Sequence, residues 1–144
     1  KKPVIGIITA PGKKRVFYSY GMSNSFELIN NQEINLVNKE KNYEGIKAVS
    51  YSNEIKSEIL EIHNKYQVAS FQKMKSSLKF CVVAASEFDL YVAEPRACEW
   101  DIAAGHAILV HAGGKITDFQ GNDILYGKQD FKNPSIIARN KNII

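Results

Sequence analysis

The chain lacks most features that would place it in a special class of protein. Only two cysteines, Cys81 and Cys98, occur among its 144 residues, and they have no CxxC spacing. This argues against a disulfide framework and a zinc site, so we expect two free thiols, one buried and one partly exposed. No apolar run is long enough to span a membrane and no segment resembles a signal peptide, so a cytoplasmic protein without a transmembrane segment is expected.

Charge of one sign is also scarce. The formal net charge is +4 and the pI is near 9.0. Lysine and glutamate are interspersed, and residues 13–15 form the only short basic run. Nucleic-acid-binding proteins usually gather basic residues on one face, so nucleic acid is not an expected partner. A mildly basic surface is compatible with small polyanionic substrates.

Strand-like and helix-like patterns alternate along much of the chain, which predicts an α/β layered fold. Strands are predicted at residues 4–9, 15–20, 25–29, 33–37, 46–50, 67–72, 88–93, 115–118 and 135–138. Helices are predicted at residues 53–65, 78–87 and 101–112, the first of them capped by Ser52. His63 would be a cation at the end of that first helix.

The most informative segment is the one that begins at Trp100. Residues 100–105 have the sequence Trp-Asp-Ile-Ala-Ala-Gly, and residues 112–114 are Ala-Gly-Gly. This pattern places Asp101 in the first turn of a helix, where the helix dipole stabilises an anion, and the glycines end the helix. The small residues allow the helix to lie very close to a sheet. Asp101 is then either a simple helix cap or a ligand for a hard divalent cation.

These motifs resemble the second signature of the inositol monophosphatase family of magnesium-dependent phosphatases. Residues 76–81 (Ser-Ser-Leu-Lys-Phe-Cys) and 98–101 (Cys-Glu-Trp-Asp) are similar to one branch of that family, the 3′(2′),5′-bisphosphate nucleotidases. Residues 114–118 and 121–122 continue the resemblance. It implies an α/β fold that is the C-terminal portion of a layered α-β-α-β-α sugar-phosphatase-like fold, with a central mixed sheet flanked by helices. It also implies Mg²⁺ as cofactor and a phosphorylated nucleotide, adenosine 3′,5′-bisphosphate or its sulfated form, as the small-molecule substrate that loses its 3′(2′)-phosphate.

The resemblance also implies roles for individual residues. Asp101 would be the catalytic metal ligand and touch the substrate. The substrate-binding set would be Ser76, Ser77, Lys79, Glu94, Arg96 and Asp101. For each, a plainer interpretation stays open: a serine N-cap, a solvated lysine, and a solvated salt pair between Glu94 and Arg96. Lys75 departs from the family pattern, which has glycine there.

The first signature of the family, Asp-Pro-x-Asp-Gly-Thr, does not occur in the sequence. We therefore expect residues 1–42 to be terminal strands of a missing N-terminal metal-binding domain and residues 43–144 to be a C-terminal α/β domain. A fragment of this kind would be inactive alone and would have the missing domain as its partner. The alternatives are an inositol-phosphate or fructose-bisphosphate phosphatase, or a non-catalytic phosphate-binding module. A homodimer is left open.

Three further side chains have plain interpretations. Trp100 is expected to be a packing anchor rather than a platform for a base. His106 and His111 lie five positions apart on the predicted helix, so they do not share a face at metal-ligand spacing. We expect both histidines at the surface or behind the site.

Overall fold

The computed structural model describes all 144 residues as two β-sheets with helices packed between and beside them. The strands are β1 Gly6–Ala10, β2 Arg15–Ser19, β3 Ser25–Ile29, β4 Gln32–Asn35, β5 Ile46–Ser50, β6 Val68–Lys73, β7 Leu90–Ala93, β8 Lys115–Thr117 and β9 Ile136–Arg139. The α-helices are α1 Ser57–Lys65, α2 Leu78–Ala84 and α3 Glu99–His111. Short 3₁₀ turns occupy Pro11–Lys13 and Leu36–Asn38.

The first sheet is an antiparallel meander in the order β1-β2-β3-β4. Phe17, Ser19, Ser25 and Glu27 are buried on its inner face, whereas Ile7 on the other face is exposed. This alternation is the ordinary pattern of a sheet that is covered on one side. The inner face is covered by α3, and the hydroxyl of Ser25 donates to the carbonyl of Ile108 in that helix.

The second sheet is mixed, with the order β6-β5-β7-β9-β8. Strands β6, β5 and β7 run parallel to one another, and β9 is antiparallel to both β7 and β8. Buried parallel strands need cover on both faces. Helix α2 contributes to the larger apolar core on one face, and Ile59 of α1 packs on Ala48 and Leu90 on the other. The predicted α/β fold with a mixed sheet and flanking helices is confirmed.

Helices α2 and α3 form a layer that contacts both sheets. Two glycines allow their close approach. A Cβ atom on Gly6 of β1 would lie 2.3 Å from the backbone carbonyl oxygen of Ala104 in α3. A Cβ atom on Gly105 would lie 2.7 Å from the ring of Phe80 in α2. The predicted close packing of the small-residue helix on a sheet is therefore confirmed.

A charged group also joins the first sheet to the helix layer. The Arg15 guanidinium donates to Glu27 at 2.5 Å and also pairs with Glu87, just beyond α2. Glu27 is only 1% exposed. A buried carboxylate needs a partner of this kind, because an unpaired buried charge is costly. Residues 1–42 and 43–144 thus contact each other through apolar packing and through this buried ion pair.

The helix boundaries differ from the predictions for local reasons. Helix α1 begins at Ser57 rather than at residue 53, and its N-cap is Lys56. Ser52 does not cap it, because its hydroxyl accepts the backbone N–H of Glu54 in a local turn. Helix α2 ends at Ala84, and Ser86 follows with a φ of 57°, a left-handed conformation that stops a helix.

The three histidines are less exposed than expected. His106 and His111 are 6% and 7% exposed, so of the two expected placements, at the surface or behind the site, the surface one is wrong. His106 Nδ1 lies 3.0 Å from the Tyr126 hydroxyl, and His111 accepts the backbone N–H of Gly21. Burial lowers the pKa of His106 to about 4. Burial also lowers the pKa of His63, so the predicted cation at the end of α1 is not supported.

Both thiols are free, and the prediction of one buried and one partly exposed cysteine is confirmed. No helix of the structure combines the length and the apolar character that a membrane crossing requires.

The contact at Gly6 gives a direct test of the layer packing. We expect Gly6→Ala to destabilise the chain by about 1–3 kcal/mol, because a methyl group has no space against the Ala104 carbonyl. Gly12→Ala is the matched control, since nothing lies within 4 Å of a Cβ there, and it should change stability by about 1 kcal/mol or less. Urea unfolding measures both. Equal stability of the two variants would contradict the close packing of α3 on β1.

Candidate active site

A cavity of about 660 Å³ lies where β5 and β7 end and where α2 and α3 begin. The carboxyl ends of parallel strands are the usual place for ligand sites in α/β sheets. Every predicted substrate-binding residue except Glu94 lines this cavity. Its lining is Tyr51, Lys75, Ser76, Ser77, Lys79, Phe80, Tyr91, Arg96, Ala97, Trp100, Asp101 and Ile102.

The two serines have different environments. Ser76 has a φ of 69°, and its hydroxyl accepts the backbone N–H of Leu78 at 3.3 Å. Ser77 is the N-cap residue of α2, but its side chain makes no capping hydrogen bond. One serine therefore satisfies the start of the helix, and the other keeps a hydroxyl available to the cavity. Lys75, which replaces the family's glycine, is exposed and lines the same cavity.

Lys79 is a buried cation at the cavity wall. Its side-chain nitrogen donates to the Ser76 carbonyl at 2.5 Å and lies 5.1 Å from the centroid of the Tyr91 ring. Burial, reinforced by the charge of Arg96, lowers the pKa of Lys79 to about 8. The interpretation of Lys79 as a solvated lysine is therefore wrong, since it is only 6% exposed.

Arg96 and Glu94 do not form a salt pair with each other, so that plainer interpretation is wrong. The Arg96 guanidinium stacks 3.6 Å from the centroid of the Tyr51 ring and makes no ion pair. Glu94 accepts hydrogen bonds from the Tyr51 hydroxyl and the Lys56 ammonium, both at 2.7 Å. Burial opposes ionisation of Glu94, but hydrogen bonds from Lys56 and Tyr51 outweigh it and hold its pKa below the ordinary value. Glu94 is not among the residues that line the cavity.

Asp101 is the only carboxylate in the cavity lining. It is the third residue of α3, and its Oδ2 accepts the backbone N–H of Cys98 at 2.8 Å. Asp101 is exposed, and its Oδ1 has no hydrogen-bond partner in the chain. The two interpretations of Asp101 are therefore compatible, since one oxygen caps the helix while the other remains available for a ligand.

Among the residues that line the cavity, one carboxylate, that of Asp101, is available as a ligand for a hard cation. A carboxylate oxygen is the ligand type that Mg²⁺ prefers, and Asp101 provides one. The chain holds no group of three or more His, Cys, Asp or Glu side chains arranged to bind a metal ion. Asp101 is thus the one carboxylate that the cavity offers to a cation, and Mg²⁺ commonly completes its coordination with water molecules and substrate phosphate oxygens.

Two aromatic residues of the site differ from expectation. Trp100 lines the cavity but is 69% exposed, with its ring centroid 5.9 Å from that of Phe131, so the predicted packing anchor is wrong. Glu99 takes the buried position instead, where its carboxylate accepts the backbone N–H groups of Gly127 and Lys128. Tyr51 was not predicted at all. Its only sequence signal is an aromatic residue directly after a buried strand.

Comparison with curated proteins identifies relatives over most of the chain. The bisphosphate nucleotidase CysQ of Salmonella typhimurium is 33% identical over 135 residues, which are 92% of this chain and 53% of that protein. The enzyme of the same name in Escherichia coli K12 is 32% identical over 136 residues. The chain thus spans about half the length of the curated nucleotidases it matches.

Solved structures show the same fold. The chain superposes on CysQ from Bacteroides thetaiotaomicron with a TM-score of 0.78 and 26% identity, over 97% of this chain and 59% of that one. The inositol monophosphatase TM1415 of Thermotoga maritima gives a TM-score of 0.68 at 23% identity, which speaks for the fold alone. The model of the inositol monophosphatase family matches residues 1–144. Motifs, fold and family model agree, and the chain belongs to the inositol monophosphatase family.

Proposed function

We propose that this chain is the substrate-phosphate-binding part of a Mg²⁺-dependent 3′(2′),5′-bisphosphate nucleotidase. Its substrate would be adenosine 3′,5′-bisphosphate or the sulfated form. One observation carries the proposal: a single cavity brings together Lys75, Lys79 and Arg96, two serines and one carboxylate. The nucleotidase relatives, 32–34% identical over most of the chain, favour this branch of the family over inositol-phosphate and fructose-bisphosphate phosphatases.

The cations account for binding of a substrate with two phosphate groups. Three positive side chains line the cavity against one negative side chain, so the site has an excess of positive charge. Charge-assisted hydrogen bonds to phosphate are the strong ones, and the planar guanidinium of Arg96 suits a bidentate contact. In this proposal Lys79 and Ser77 receive one phosphate and Arg96 receives the other.

Asp101 would hold the metal ion together with ligands from elsewhere. A bound Mg²⁺ polarises a phosphoryl oxygen and lowers the pKa of a bound water. We propose that the remaining ligands belong to a preceding segment of the same protein, which forms a metal-binding domain with the strands of residues 1–42. With one carboxylate, the chain by itself binds nucleotide and does not hydrolyse it. The two free cysteines support a reducing, cytoplasmic location as part of this proposal.

The decisive test compares two nucleotides on the chain itself. Trp100 is the only tryptophan and lines the cavity, so its fluorescence can report binding. Adenosine 3′,5′-bisphosphate should bind about tenfold or more tightly than adenosine 5′-monophosphate, because a second phosphate adds a charge-assisted contact. Arg96→Ala should remove most of that preference, and Lys13→Ala, an exposed cation elsewhere, should not. Tighter binding of inositol 1-phosphate than of either nucleotide would overturn the nucleotidase assignment.

The metal role of Asp101 has its own test. Asp101→Asn keeps an oxygen that can accept the Cys98 N–H, so stability should fall by about 1 kcal/mol or less. Without Mg²⁺ the variant should bind the bisphosphate more tightly, since a negative charge is gone. Added Mg²⁺ should strengthen nucleotide binding to the unaltered chain and have no such effect on the variant. Titration by fluorescence and calorimetry measures this, with Asp130→Asn, exposed on another loop, as control.

If Mg²⁺ strengthens binding equally in the unaltered chain and in Asp101→Asn, Asp101 is a helix cap and not a ligand. Loss of the effect in Asp130→Asn as well would show instead that Mg²⁺ acts through the general charge of the protein.

The lowered pKa of Lys79 predicts how binding depends on pH. Below pH 8 the amine is charged and attracts phosphate, and above pH 8 it loses its proton, so nucleotide affinity should fall between pH 7.5 and 9.5. A phosphate ester is already fully ionised there, because its second pKa is about 6. The expected loss is about tenfold, the value of one charge-assisted hydrogen bond.

Two variants assign that pH dependence to Lys79. Lys79→Arg stays charged throughout and should bind equally well at both ends of the range. Lys79→Met should bind weakly at both ends and show no step. An unchanged step in either variant would assign the titration to another group.

A further inference from the structure

Tyr51 lies between two side chains of opposite charge, Arg96 and Glu94. Its ring carries the Arg96 guanidinium on one face, with Cζ 3.6 Å from the ring centroid. Its hydroxyl donates to the carboxylate of Glu94, 2.7 Å from one oxygen and 2.8 Å from the other. Tyr51 thus contacts both charged residues of the loop that joins β7 to α3, although it lies at the end of β5.

The hydroxyl end of Tyr51 is firmly anchored. Glu94 also accepts from Lys56 at 2.7 Å, so the carboxylate is held from two sides. Only 12% of the Glu94 side chain is exposed, which shields these bonds from water. Burial and the bond to Glu94 raise the pKa of Tyr51, so the hydroxyl keeps its proton and continues to donate. The ring is therefore fixed in direction, and its free face is presented to Arg96.

Arg96 needs this support more than other arginines of the chain. Arg15 and Arg139 are held by hydrogen bonds to their neighbours, but Arg96 is exposed and donates no hydrogen bond within the chain. An unsupported arginine loses much side-chain freedom when it binds a ligand, and that loss weakens binding. A guanidinium stacked on a tyrosine has given up part of this freedom before the ligand arrives.

We propose that Tyr51 is a positioning residue that holds Arg96 at the cavity for the second, non-reacting phosphate, and that Glu94 and Lys56 act by fixing Tyr51. This inference rests on the proposed function for the identity of the anion. It assigns Glu94 a role at one remove from the substrate, through the tyrosine. It also makes discrimination between bisphosphate and monophosphate depend on a residue at the end of β5, outside every motif of the sequence.

The first arm of the test needs no nucleotide. The Nε–Hε signal of Arg96 in NMR spectra should be shifted by the Tyr51 ring and show restricted motion. Tyr51→Phe keeps the ring and should retain most of the shift. Tyr51→Leu removes the ring and should abolish the shift and release the side chain. Tyr20→Leu, at an exposed tyrosine far from the loop, is the matched control and should leave the Arg96 signal unchanged.

The second arm measures nucleotide preference by the fluorescence of Trp100. Tyr51→Leu should reduce the preference for adenosine 3′,5′-bisphosphate over the monophosphate by about two- to fivefold, the usual effect of one exposed cation–π contact. Monophosphate affinity should stay nearly constant. In an Arg96→Ala background the same substitution should have no further effect, because the two residues act as a unit. Glu94→Gln gives a second, milder perturbation if Tyr51→Leu does not fold.

The outcomes separate the two proposals. If Tyr51→Leu weakens binding further when it is added to Arg96→Ala, Tyr51 acts on the nucleotide or the fold independently of Arg96. That result would overturn the positioning role. An Arg96 signal that is mobile in the unaltered chain would overturn it as well, while leaving the proposed function intact. Equal binding of bisphosphate and monophosphate to the unaltered chain, despite an ordered Arg96, would overturn both.

Discussion

The close approach of α3 to its neighbours is the constraint on which the rest of the structure depends. Helix α3 touches the first sheet at Gly6, touches α2 at Gly105, and presents Asp101 at its first turn. A larger side chain at Gly6 of β1 or at Gly105 of α3 would hold the helix farther from its neighbours. The start of the helix, which carries Asp101, would then shift relative to the other residues that line the cavity. The geometry of the site is thus fixed by residues that have no chemistry of their own.

Charged side chains occur in two environments, inside the packed layers and around the cavity. Within the layers, carboxylates are paired: Glu27 is held by Arg15, and the buried Asp89 accepts from the Lys47 backbone and pairs with Lys41. Around the cavity, Lys79 and Arg96 have no carboxylate partner, and the pKa of Lys79 is lowered by burial and further by the charge of Arg96. A site of this kind is stabilised when an anion enters, because the ligand supplies the missing negative charge.

Much of the fold was predictable because it follows local patterns. The β-branched run of β1, the alternating residues of β2 and the small-residue run that ends in Gly113 and Gly114 predict their elements from local sequence alone. The predicted helix boundaries are wrong where a side chain stabilises a local turn instead of the helix, as Ser52 does by accepting the Glu54 N–H. Periodicity does not distinguish these alternatives, since both leave the apolar residues in similar places.

Site residues that lie in a sequence motif were predictable, whereas those that join the site through contacts between distant parts of the chain were not. Asp101, Ser77 and Lys79 lie in recognisable runs. Tyr51 lies 43 residues from Glu94, and only the parallel pairing of β5 with β7 brings them together. The exposure of Trp100 has the same origin, because the buried place beside it is taken by Glu99, which binds backbone amides 28 and 29 residues away.

The bridge made by Arg15 has a consequence for how this chain can change over time. Glu27 and Glu87 share one arginine across the boundary between the first sheet and the helix layer. Loss of Arg15 would leave a buried carboxylate without its main counter-charge, so a change at one of these three sites is tolerated only with compensating changes at the others. Substitutions in the first sheet and in the helix layer are therefore coupled at these three positions. Replacing either layer by its counterpart from a distant relative would require matching changes in the other.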